Sequence, residues 1–139
     1  MLSASARTVI VVRFKPFGIE SIVNSVKKQV IGDEIKGRPA RHGVSVFADV
    51  QRATESVEET VHRICTVASA HAGGPKIAVT TEEALNARGY CLHETFPPEL
   101  HYLIGGESIF TPPPELDGLA DEWTKDRRDN PVFEKEQTS

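Results

Sequence analysis

Residues 8–32 read Thr-Val-Ile-Val-Val-Arg-Phe-Lys-Pro-Phe-Gly-Ile-Glu-Ser-Ile-Val-Asn-Ser-Val-Lys-Lys-Gln-Val-Ile-Gly, and their hydrophobic period changes part-way along. Residues 8–14 are β-branched and apolar, with the turn formers Pro16 and Gly18 just beyond, which predicts a buried strand. From Ile19 onward the apolar residues Ile19, Ile22, Val23, Val26 and Val30 recur at spacings of three and four. That stripe predicts an amphipathic helix with Lys27 and Lys28 on its far side and Gly32 as its stop. A strand feeding a helix through a short turn sets a pattern that the rest of the chain repeats.

Residues 32–43 form a basic, breaker-rich loop, and a short strand follows at 44–48. Ser56-Val57-Glu58-Glu59 is a capping box, and Val57, Val61, Ile64, Cys65 and Ala68 continue it as a helical stripe that ends before Gly73-Gly74-Pro75. Residues 76–79 read as a strand. A second capping box from Thr80 to Glu83 opens a two-turn helix that Gly89 closes. Strands at 90–94 and 100–104 are separated by five residues, which predicts an antiparallel hairpin. Beyond Gly105-Gly106 the character changes. Pro112-Pro113-Pro114 imposes an extended stretch, and Asp117 then caps a helix through Leu119, Ala120 and Trp123 to about Arg128. The expected fold is α+β: one small mixed sheet of about five short strands with three helices, occupying residues 1–106 as a single domain. Residues 107–139 are expected to form an acidic, Pro-rich arm carrying one short helix, too small to build a core alone.

The chain has 139 residues, 39% hydrophobic and 26% charged, which suits a globular domain and excludes a wholly disordered one. Near the start the longest apolar run is residues 9–12, cut off by Arg13. A signal-peptide core needs about 7–15 apolar residues and a spanning helix about 20, so neither is expected. Two cysteines cannot make a disulfide framework, and a reduced, cytoplasmic setting is expected. The net charge of −4 is unevenly spread: residues 1–48 carry +5, residues 49–106 carry −4 and residues 107–139 carry −5. A basic first third attracts phosphate or an acidic partner surface, unless the chain neutralises it internally.

The basic loop, residues 36–43, is the first candidate site. Arg38 and Arg41 flank a rigid proline between two glycines, an arrangement suited to holding a nucleotide or RNA phosphate. The competing reading pairs these arginines with Asp33, Glu34 or the acidic tail. His42 and His101 stand at or inside predicted strands. If those strands are neighbours, both imidazoles open on one cleft edge together with Ser45 and Tyr102, where a histidine pair performs acid–base work on a phosphodiester. Cys91 and His93 share a strand face but are too few for a closed zinc site, even with His101 across the hairpin, so no metal and no cofactor are expected. There is no Gly-x-Ser-x-Gly elbow, phosphate-binding Walker loop or dinucleotide fingerprint.

In the arm, Phe110, Trp123 and Phe133 are large apolar groups in a polar segment, expected to dock onto their own domain or to bury in a partner. Trp123 in particular is expected to be buried. With no complete catalytic constellation in view, the leading expectation is a soluble, non-enzymatic interaction or accessory module, antitoxin-like, with a protein partner or a second copy of itself. The alternative is a small enzyme acting on a nucleotide or RNA phosphate, with Arg38 and Arg41 as clamps, Tyr102 beside the ligand, and His42 and His101 as acid and base.

Overall fold

In the computed structural model, residues 7–113 and 115–133 are described. Val9–Phe14 is the first strand, β1, and it is buried from Ile10 to Phe14 because it lies inside the sheet with neighbours on both edges. Near-continuous burial on both faces explains its almost unbroken apolar sequence. β2 (Val44–Val50) pairs with one edge of β1 and β3 (Lys76–Thr81) with the other. The full order is β4-β5-β2-β1-β3-β6, and every neighbouring pair is antiparallel. The sheet is therefore not mixed, and it has six strands rather than about five.

Helix α1 (Ile19–Ile35) packs Ile22 and Val26 on one face of the sheet, against Val11, Val44, Val46 and Ala48. It runs past Gly32, which stays helical. The left-handed stop is Gly37 at φ 71°, and the Arg38 N–H closes the end by donating to the Asp33 carbonyl. Helix α2 (Val57–Ala68) covers the other face with Val61, Ile64, Cys65 and Ala68, against Ile10, Val12, Phe14, Phe47, Ile77 and Val79. Both halves of its capping box are present. One sheet thus separates two cores.

Helix α3 (Glu82–Ala87) starts one residue later than expected. Thr81, not Thr80, is its cap and accepts from the Ala84 N–H at 3.1 Å. Thr80 remains in β3, where its hydroxyl donates to the buried Glu122 at 2.8 Å. β4 (Cys91–Glu94) and β5 (His101–Gly105) form the expected hairpin at one edge of the sheet.

The largest departure is in residues 107–133. The helix there, α4, spans only Asp117–Glu122, and the chain then extends into β6 (Arg127–Asp129), which pairs with β3 at the opposite edge. The open edge of β3 supplies ladder partners that a longer helix would forgo. Leu119 and Trp123 are fully buried in the α1-side core with Leu85 and Tyr90. Arg88 ties α4 down by donating to Glu122 at 2.7 Å and to Asp121 at 3.0 Å. With α4 there are four helices among the described residues. Pro114, part of the expected extended stretch, lies outside the described residues, and no described helix is long and apolar enough to cross a membrane.

Candidate functional site at the β2–β5 face

The basic loop is occupied from within. Asp33, fully buried in the last turns of α1, accepts from Arg41 Nε at 3.1 Å, Arg41 Nη2 at 3.0 Å and the Arg41 backbone N–H at 2.9 Å. It also accepts from Arg38 Nε at 2.8 Å and Gln29 Nε2 at 3.2 Å. The Arg41 guanidinium, assisted by the other donors and opposed by burial, holds the Asp33 carboxyl well below the usual carboxylate range. Arg38 and Arg41 thus staple the loop to the helix end.

Strands β2 and β5 are neighbours, with Ser45 opposite Leu103 and Phe47 opposite His101. Alternation along the strands puts Ser45, Phe47 and His101 on the α2 face. His42 and Tyr102 belong to the other side. His42 lines an apolar cleft with Val26, Val30 and Ile31 of α1, and Tyr102 packs against the α1-side core with its ring 5.5 Å from that of Phe96. The two histidines therefore do not share one cleft.

His101 has different company. Ser45 Oγ lies 2.5 Å from His101 Nε2, and Thr95 Oγ1 lies 2.6 Å from His101 Nδ1. The Thr95 hydroxyl also donates to the His101 carbonyl at 3.1 Å. One assignment satisfies every group: Thr95 gives its proton to the carbonyl and accepts from Nδ1–H, leaving the Nε2 lone pair to accept from Ser45 O–H. Phe47 stands edge-on to the imidazole at 5.3 Å between ring centroids. Burial, reinforced by the charges of Arg41 and His71, lowers the His101 pKa from 6.5 against the backbone of Thr95, which raises it. The imidazole is accordingly neutral at pH 7, while Ser45 is exposed.

Beside Ser45 opens a cleft of about 240 Å³, lined by the cations Arg13 and Lys15, by Ser25 and Ser45, and by Phe14 and Phe47; the Ser25 hydroxyl donates to the Ser21 carbonyl at 3.0 Å. Arg13 is only 4% exposed. Its Nε donates to the Pro16 carbonyl at 3.0 Å and its Nη1 to the Ser45 carbonyl at 2.6 Å. Its Nη2 is buried with no hydrogen-bond partner, and among the described residues Arg13 has no ion pair. Burial alone lowers its pKa to about 10.

Sequence reasoning reached Ser45 and His101 but missed Thr95 and Arg13. The available signal for Arg13 was a charge at the end of an otherwise apolar buried strand. Thr95 gave none, because it lies in the segment joining β4 to β5 and meets His101 only through the hairpin. Of the arm aromatics, Trp123 is buried within its own chain, while Phe110 and Phe133 are exposed. Cys65 and Cys91 are free thiols; burial pushes Cys65 up to about 12. His93 is engaged by the Gly106 carbonyl at 2.7 Å, and no group of three or more metal-binding side chains occurs among the described residues. Comparison with protein-family models, curated proteins and solved structures gives no match.

Proposed function

We propose that the protein is a small enzyme that cleaves esters, with Ser45 as nucleophile, His101 as base and Thr95 positioning the imidazole. The carrying observation is the 2.5 Å contact between an exposed serine hydroxyl and a histidine Nε2 whose other nitrogen is already engaged. A nucleophile within hydrogen-bond reach of a base, itself oriented by a third group, is the arrangement serine catalysis requires. The Ser45 oxygen adds to the ester carbonyl carbon as its proton passes to Nε2. The adduct then collapses, the carbon–oxygen bond to the leaving group breaks, and that oxygen departs with the Nε2 proton. A water, deprotonated at the same nitrogen, releases the acid and restores Ser45. Thr95 holds the imidazole in place but, being neutral, adds no charge to stabilise the imidazolium, so slow turnover is expected.

In an aryl-ester hydrolysis assay, Ser45→Ala lowers the rate to background and His101→Ala lowers kcat/KM by about 10²–10⁴-fold. A Ser45→Ala variant as fast as the wild type contradicts the proposal. The interaction-module reading draws on a separate observation. Ile31 and Ile35, one turn apart on α1, are 54% and 80% exposed, and the partner that reading names is another protein or a second copy of the chain.

A further inference from the structure

The cleft beside Ser45 has an electrostatic character that narrows its ligand. Its lining includes two cations but no carboxylate. One of the cations is buried, with a guanidinium nitrogen that no described residue satisfies. A buried charge with neither counter-ion nor full hydrogen bonding is costly, and native structures keep such groups where something else completes them. Two backbone carbonyls hold the Arg13 guanidinium in place. Lys15 is exposed at the rim, with its stem over Gly74: a Cβ on that glycine would stand 3.5 Å from Lys15 Cε. Phe14 and Phe47, edge to face at 6.1 Å, give the cleft an apolar wall. Two positive charges match a dianionic phosphate better than a singly charged carboxylate, and the rings suit an apolar or aromatic body attached to it.

We propose that this cleft binds a phosphate monoester group carried on an apolar or aromatic body, with Arg13 and Lys15 as the cations that recognise it and Ser45 beside it. The inference rests on the reading of Ser45 and His101 as the reacting pair and names the substrate class that pair meets: esters bearing a phosphate handle.

Phenyl phosphate and benzoate are the probes, titrated calorimetrically into the full chain. Phenyl phosphate is expected to bind one per chain, more tightly than benzoate, with an affinity that falls as salt rises. Lys15→Gln and Arg13→Gln each weaken it by about 10–100-fold, the worth of a charge-assisted contact. Arg13 also braces two carbonyls, so a thermal melt accompanies that variant. Where Arg13→Gln fails to fold, Lys15→Gln at the exposed rim decides. Unchanged affinity in Lys15→Gln, or benzoate binding as tightly as phenyl phosphate, overturns the inference. Binding without any turnover in the wild type contradicts the catalytic reading alone, and turnover of neutral esters without phosphate binding overturns this inference alone.

Discussion

Asp33 decides what the basic loop can do. Its carboxylate lies under Arg41 and Arg38 and has five donors, so the two arginines that looked like a phosphate clamp close the end of α1. Pairing with Asp33 was legible in the sequence, because Asp33 lies only five and eight residues before the two arginines. What the sequence lacked was the position of Gly37, which turns the chain back over the helix end. Removing Asp33 leaves two guanidiniums without their partner. Because both are partly solvated, the expected loss for Asp33→Ala in urea melts at pH 7 is roughly 2–3 kcal/mol, below the range for a fully buried pair. The pH dependence follows in sign. The folded-state pKa lies below the unfolded one, near 3.9, so the stabilisation is complete above that value and disappears as the pH falls through the folded-state pKa. The gap between wild type and Asp33→Ala therefore narrows on acidification below pH 4. A gap that is constant from pH 7 to pH 3 contradicts this account of the carboxylate.

The pairing of β2 with β5 builds the site by register. Ser45 and His101 are diagonal neighbours on one face because Phe47 stands opposite His101, and a one-residue slip would send them to opposite faces. Gly43, just before β2, guards that register. A Cβ there would stand 2.7 Å from Leu103 Cβ, closer than real Cβ atoms approach, and neither backbone can retreat cheaply. Gly43→Ala is expected to destabilise by about 1–3 kcal/mol, the range for overpacking, and to reduce ester hydrolysis although Gly43 touches no reacting atom. Full stability and full activity in Gly43→Ala contradict the close approach. Local signals were most readable where chemistry is local: the capping box at Ser56 and Glu59 and the β4–β5 hairpin appear where the sequence placed them. β6 was not readable, because Arg-Arg-Asp has no strand pattern of its own, and its conformation is imposed by the free edge of β3.

For the whole molecule, the segment beyond residue 106 completes the α1-side core. Trp123 and Leu119 fill the space beside Leu85 and Tyr90, and Arg127 stacks on Phe17 at 4.5 Å, joining β6 to the turn before α1. Trp123 emission is expected to be blue-shifted and unchanged by dilution, and Trp123→Ala to cost about 3–5 kcal/mol. Emission that turns red on dilution instead shows that the segment docks on a second copy. The sequence marked Trp123 as buried but treated the segment as an appendage, because its acidic surface hides how much of one face it buries. The same long-range closure assembles the site: β2, β5 and the hairpin each bring one of Ser45, His101 and Thr95, which meet only in the folded chain. Covalent labelling of the intact protein by a fluorophosphonate, with the modified residue located by mass spectrometry, tests this most directly. The account predicts labelling at Ser45 in the native protein, lost in urea, slowed in His101→Ala, and falling at acid pH with an apparent pKa below 6.5 as the imidazole gains its proton. No labelling of the native protein, or labelling that is as fast in His101→Ala or in urea, contradicts it.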